Sequence, residues 1–156
     1  LSFVDLLERM GAEVIRTATS TQVVGTGSLH GIEVDMAEIS DTAQTLAAIA
    51  PFADSPTRVT GIGFIRAKET DRIAAVVTEL KRLGITAVEE PDGFLIHPGV
   101  PNPGVVQTYR DHRMAMSFAL VGLRSAGIQI ADPACVAKTY PNFWNDLETL
   151  RGSGGK

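Results

Sequence analysis

An internal repeat with a period of about 70 residues constrains this chain more than any single element does. Displaced by that period, Asp41 falls on Asp111, each at the start of a helical pattern, and Ser55 falls on Ser125 in the following turn. Val59 meets Gln129 in strand-like runs, Ala67-Lys68 meets Ala137-Lys138, and Leu80-Lys81 meets Leu150-Arg151. Near the start, Leu7-Glu8-Arg9-Met10-Gly11 parallels Leu80-Lys81-Arg82-Leu83-Gly84. The unit reads strand–helix–strand–helix–strand–strand. One copy is complete, between the end of an earlier copy and the start of a later one.

The local pattern predicts a helix ending at Gly11, then strands over 12–17, 21–25 and 32–36. Asp41 is expected to cap a helix over 42–53, followed by a strand over 57–62. The clearest helix spans 69–83, where Ile73, Val76, Val77, Leu80 and Leu83 follow the helical period and Gly84 supplies the stop. Pro91-Asp92-Gly93 turns a hairpin between 85–89 and 94–97. A strand over 105–109, a helix over 111–123 opened by Asp111, a strand over 128–131 and a helix over 140–150 complete the pattern, with 152–156 expected as a mobile tail. The run after Arg113, Met-Ala-Met-Ser-Phe-Ala-Leu-Val-Gly-Leu, is apolar on every side, so its helix must be buried all round. Strands such as Thr57-Arg58-Val59-Thr60 mix apolar and polar residues, as sheets with one wet face do. Helices inside and sheets outside inverts the usual doubly wound arrangement.

Composition narrows the function classes. With 156 residues, 44% of them hydrophobic, the chain can bury one good core but not two full-sized domains. Its net charge of -4 offers no bulk basic field to nucleic acid or an anionic membrane. No apolar run approaches the length of a transmembrane helix, and the opening LSFVDLLERM carries charges through any would-be signal segment. Cys135 is alone, so neither an internal disulfide nor a zinc cluster is expected. These features predict a soluble, cytoplasmic, cofactor-poor domain; its first residue, Leu, suggests a piece of a longer protein.

Charged residues gather at the junctions that the repeat aligns. On a helix beginning at Glu69, Glu69 and Arg72 are neighbours on the face continuous with the Ile73 stripe. A carboxyl at that mouth is expected to be partly desolvated, which favours its protonated form and suits it to proton transfer. Lys68 and Arg72, with free N–H groups of the first turn, are expected to form an anion pocket. The plainer alternative is that Glu69 and Asp71 complement the helix dipole and Arg72 pairs with Glu69 in solvent. Asp111 is an N-cap candidate and His112 a structural hydrogen-bonder, whereas Arg113 has little reason to open a buried helix without an anionic partner. Lys138 precedes the last helix as Lys68 precedes its own. The repeat thus collects Asp41, Lys68, Asp111, His112, Arg113 and Lys138 at one end of the domain, an arrangement expected of a functional site. The glycine-rich run from Gly25 to Gly31 lacks the third glycine of a dinucleotide loop and reads as a turn.

At Lys68-Glu69-Thr70-Asp71-Arg72 and Asp111-His112-Arg113-Met114-Ala115-Met116 the chain resembles the 5-enolpyruvylshikimate-3-phosphate (EPSP) synthase, or 3-phosphoshikimate 1-carboxyvinyltransferase, family. Val34-Asp35-Met36 followed by Asp41, and Asp132-Pro133 through Lys138-Thr139-Tyr140-Pro141, match in order and spacing. The resemblance covers essentially the whole chain, as the C-terminal part of such an enzyme. It implies an α/β fold, an inside-out barrel of βαβαββ repeats with helices buried and sheets outside. Residues 1–151 would hold one complete unit and parts of two others, and 152–156 a flexible tail. The implied reaction transfers the enolpyruvyl group of phosphoenolpyruvate to the 5-hydroxyl of shikimate 3-phosphate. Phosphate leaves through a tetrahedral intermediate, with no metal or organic cofactor, on the route to chorismate and the aromatic amino acids.

Residue by residue, the resemblance implies that Asp41 meets the shikimate hydroxyls as a base candidate and that Lys68 contacts the shikimate phosphate. Glu69 would exchange a proton with the methylene carbon of phosphoenolpyruvate. Arg72 and Arg113 would grip its carboxylate, His112 would line the site, and Lys138 would neutralise the departing phosphate. Phe64 stands where the family often has an Asn on the shikimate phosphate. The family's N-terminal lysine–serine motif, phosphate-binding serines and glycine-rich loop have no counterpart in the chain. About half of an active site is therefore expected, inactive without the missing N-terminal domain. Alternatives are the related UDP-N-acetylglucosamine enolpyruvyl transferase and a catalytically dead binding or scaffold domain.

Overall fold

The computed structural model describes residues 2–153. Its first elements are α1 (Phe3–Arg9), β1 (Glu13–Arg16) and β2 (Thr21–Val24). Next come β3 (Glu33–Asp35), α2 (Ala43–Ile49), β4 (Thr57–Thr60), α3 (Arg72–Arg82), β5 (Ala87–Glu90) and β6 (Gly93–Ile96). The chain closes with β7 (Gly104–Val106), α4 (His112–Val121), β8 (Ile128–Ile130) and α5 (Phe143–Ser153). From β3 to β6 the order is strand–helix–strand–helix–strand–strand, and β7, α4, β8 and α5 reproduce its first four elements. The central sheet has the order β3-β4-β6-β5, with β3 parallel to β4 and the other pairs antiparallel. β1 and β2 form an antiparallel pair, and β7 and β8 a parallel one.

α2, α3 and α4 supply much of the core. No residue of α2 or α4 is exposed, and the two pack together, with Thr45 Oγ1 3.2 Å from Ser117 Oγ. Leu46, Val59, Ile73, Leu80, Phe94, Ile96, Met114 and Phe118 are fully enclosed in one cluster. Strand residues alternate instead: Thr57 and Val59 are buried while Arg58 between them is exposed, so the sheet keeps one face in water. Among the described residues no helix is long and apolar enough to cross a membrane.

Element ends depart from the periodicity for identifiable reasons. The helix expected over 42–53 becomes α2 and a 3-10 turn at Ala50–Phe52, because Pro51 lacks an N–H and crowds the preceding turn. Asp41 does not cap α2: it lies in a 3-10 turn, Ala37–Thr42, and no side chain caps the helix. The helix expected from Glu69 begins at Arg72, because Asp71 accepts the Ala74 N–H at 3.0 Å and caps it there. At its other end Gly84, with φ 80°, takes the left-handed conformation that stops the helix. The strand expected over 105–109 ends at Val106, since the next N–H turns away to a side chain. Gly152 and Ser153 belong to α5 rather than to a tail, and the remainder of that expected tail, 154–156, lies outside the described residues.

Candidate functional site

Arg72 opens α3 yet is only 2% exposed. A guanidinium taken out of water needs carboxylates around it, and three converge. Asp111, fully buried, accepts Arg72 Nε at 2.7 Å and Nη2 at 3.4 Å. Glu69 Oε2 accepts Nη2 at 2.8 Å, and Asp41 Oδ1 accepts Nη1 at 3.4 Å. Asp111 also caps α4 by accepting the Arg113 N–H at 2.8 Å. It therefore ties the starts of α3 and α4 to each other.

Asp41 is held from two sides. Its Oδ2 lies 2.9 Å from Arg113 Nη2, and its backbone carbonyl accepts Arg113 Nη1 at 3.0 Å. Arg72 and Arg113, opening two different helices, thus converge on one carboxylate. The Asp41–Arg113 pair forms the polar end of a groove of about 300 Å³ whose wall includes Met116, Leu120, Tyr140 and Phe143.

Glu69 also faces Lys138 and His112. Its Oε1 lies 3.4 Å from Lys138 Nζ and 4.0 Å from His112 Nδ1. Its own backbone N–H, then Arg72 and Lys138, hold the carboxyl below its ordinary value despite partial burial. That direction is opposite to the protonated form expected from desolvation, because the backbone N–H and the cations together outweigh the burial. Burial pushes the His112 imidazole below its usual value, and His112 Nδ1 is enclosed without a hydrogen-bond partner. The structure therefore gathers Asp41, Glu69, Arg72, Asp111, His112, Arg113 and Lys138, with three carboxylates against three cations. Lys68 stands exposed on the loop just before Glu69, whereas Arg72 is enclosed. Phe64 is 53% exposed on the 3-10 turn leading to that loop.

The family model described as EPSP synthase (3-phosphoshikimate 1-carboxyvinyltransferase) matches residues 1–147. The chain belongs to the EPSP synthase family. It is 51% identical over 142 residues to the 3-phosphoshikimate 1-carboxyvinyltransferase of Nostoc punctiforme, covering 91% of this chain and 33% of that protein. The Methanosphaerula palustris protein of the same name is 46% identical over 93% of this chain and 34% of its own length. A solved EPSP synthase from Acinetobacter baumannii superimposes with a TM-score of 0.81 at 30% identity, covering 90% of this chain and 36% of that one. The enolpyruvyl transferase NikO from Streptomyces tendae shares the fold, with a TM-score of 0.76 at 24% identity over 94% of this chain and 34% of its own. The chain thus spans about a third of the length of the curated relatives it matches.

Three supporting residues of this EPSP synthase family member are not singled out by sequence reasoning. Arg66 donates to Asp71 at 2.8 Å, Glu89 at 2.7 Å and the carbonyls of Glu90 and Pro91, lashing the loop that carries Glu69 to the β5–β6 hairpin. Asp92, expected only as a turn residue, accepts the N–H groups of Gly61 and Gly63 and holds the other end of that loop. Glu79 is a fully buried carboxylate on α3 that accepts the Tyr109 hydroxyl at 2.6 Å. Burial and that carboxylate push the Tyr109 phenol up to about 12. The signal for Glu79 is its place beside Val76 and Leu80 on the apolar stripe, where a charge needs a buried partner.

Proposed function

We propose that the chain forms one wall of the active site of a 3-phosphoshikimate 1-carboxyvinyltransferase, transferring the enolpyruvyl group of phosphoenolpyruvate to the 5-hydroxyl of shikimate 3-phosphate. The convergence of Arg72 and Arg113 on the Asp41 carboxylate carries this reading. Two guanidinium forks already aimed at one carboxylate suit a substrate carboxylate that takes its place, and planar guanidinium does this better than ammonium. Displaced from Arg113, Asp41 becomes free to accept the proton of the attacking hydroxyl. Lys138 turns from Glu69 to the phosphate group, and Lys68 meets the phosphate of the second substrate. His112 lines the site between Glu69 and Lys138.

Glu69 gains its proton affinity from binding itself. At rest it is ionised and cation-paired. An anionic substrate draws Arg72 and Lys138 away and adds negative charge nearby, both of which raise the carboxyl's pKa. Glu69 can then deliver a proton to the methylene carbon as the hydroxyl oxygen bonds to the adjacent carbon. It takes one back from the resulting methyl group as phosphate leaves and the double bond re-forms. The intermediate between these steps is tetrahedral, and the reaction needs neither metal nor organic cofactor.

The chain supplies cations from one side only, and an open half-site leaves them screened by water. The reading therefore includes residues 1–151 as part of the enzyme's C-terminal domain, with the N-terminal domain as obligatory partner and the cytoplasm as setting. A phosphate-release assay with both substrates tests it. The chain alone releases none, and mixing with a separately expressed N-terminal portion of the enzyme restores release. Robust turnover by the chain alone, or none in the mixture, contradicts the reading.

A further inference from the structure

Glu79 takes no part in the proposed chemistry, yet its carboxylate is enclosed and fully engaged. Oε2 accepts the Gln107 N–H at 2.9 Å, and Oε1 accepts the Tyr109 hydroxyl at 2.6 Å and lies 3.4 Å from Arg82 Nη1. The first two bonds bracket Thr108, itself buried, whose carbonyl accepts the Asp111 N–H at 2.9 Å. Between these anchors Tyr109 and Arg110 hold φ values of 56° and 58°. That is the left-handed region, disfavoured for side chains with a Cβ and uncommon at two successive positions. Asp111, His112 and Arg113 follow at once. A carboxylate suits this anchor because it can accept an N–H and an O–H together, whereas an amide offers only one acceptor oxygen.

We propose that Glu79 and Tyr109 are positioning residues: their hydrogen bond holds the left-handed turn at Tyr109-Arg110, and that turn sets Asp111 against Arg72 and delivers Arg113 to Asp41. The site's geometry is thereby fixed from behind, by a contact between α3 and the loop ahead of α4 that touches no substrate. The consequence for turnover rests on the function proposed above. The positioning itself is independent of substrate.

The test is hydrogen exchange by nuclear magnetic resonance on the chain, without ligand. In Tyr109→Phe, the Arg113 amide and the Arg72 Nε–H exchange about tenfold faster or more, as a local opening would give. The amides of Val59 and Phe94 in the central sheet keep their rates. Adding Arg110→Gly to Tyr109→Phe restores slow exchange, because glycine takes a left-handed φ without steric cost. Should Tyr109→Phe not fold, Glu79→Gln, with one acceptor oxygen fewer, gives the same pattern. Unchanged exchange at the two site protons, uniform acceleration along the chain, or no rescue by glycine overturns the proposal. In the mixture with the N-terminal portion, Tyr109→Phe raises the KM for phosphoenolpyruvate more than it lowers kcat, and Arg110→Gly reverses the rise; a fall in kcat alone overturns it. Absence of turnover in the unmutated mixture counts against the function, whereas the exchange pattern judges the positioning.

Discussion

Replacing Arg72 by methionine keeps an unbranched apolar stem in place and removes the charge at the centre of the cluster. Asp111 then loses both of its guanidinium contacts, at 2.7 and 3.4 Å, and keeps only the Arg113 N–H. It is 0% exposed and cannot turn to water. Glu69 and Asp41, with side chains 34% and 57% exposed, can rehydrate, so their lost pairs add little. The cost is therefore that of an unpartnered buried charge, about 3–5 kcal/mol. For a chain of this size that lowers the melting temperature by roughly 6–20 °C. Urea unfolding at pH 7, followed by circular dichroism, reads it as a lower midpoint with unchanged slope. Adding Asp111→Asn removes the stranded charge while an amide still caps α4. The double variant should therefore recover about 1.5–3 kcal/mol relative to the sum of the single changes. A loss below about 1 kcal/mol, the range of an exposed pair, or simple additivity refutes the reasoning.

Two other outcomes follow from the same cluster. Burial depresses the His112 imidazole below its ordinary 6.5, so as pH falls below that value the unfolded chain protonates first and the fold loses stability until the folded value is passed. Above 6.5 this group contributes nothing, and His112→Asn should flatten the slope of urea stability against pH just below 6.5; an unchanged slope contradicts the assignment. In the enzyme assembled with its N-terminal portion, Arg113→Ala should weaken phosphoenolpyruvate binding by about 1.5–3 kcal/mol, as loss of a charge-assisted hydrogen bond does. Shikimate 3-phosphate binding should stay nearly intact, and equal losses in calorimetric titration would count against the clamp.

The alternation of elements was legible because burial of periodic side chains decides it: the apolarity of 114–121 on every side could only describe an enclosed helix, and α4 is one. The starts of the helices were less so. At Asp71 a cap competes with helix propensity, and the side-chain hydrogen bond to the Ala74 N–H moves the start three residues past Glu69. Spacing places Glu69 beside Arg72 correctly, but its carboxyl is held low first by its own backbone N–H and then by Arg72 and by Lys138, 69 residues away along the chain, which spacing does not show. Asp111 reads as a cap gathered with the other charged junction residues, but its ion pair with Arg72 is not legible, since that requires the starts of α3 and α4 to meet. The left-handed pair at Tyr109-Arg110 carries no glycine or asparagine to mark it; the buried Glu79 stabilises what the local sequence alone does not favour.

The central claim, that these helix starts form a reacting half-site, is tested most directly at Glu69. The measurement is single-turnover phosphate release from phosphoenolpyruvate and shikimate 3-phosphate, with the chain carrying Glu69→Gln and mixed with the N-terminal portion. Glutamine keeps the size and a hydrogen bond to Arg72 but cannot carry a proton between carbon centres. The account predicts a rate lowered by on the order of 10²–10⁴-fold, as loss of a positioned acid–base group gives, with substrate binding changed far less. A Glu69→Gln rate within about tenfold of the unmutated mixture, below the contribution of such a group, contradicts it.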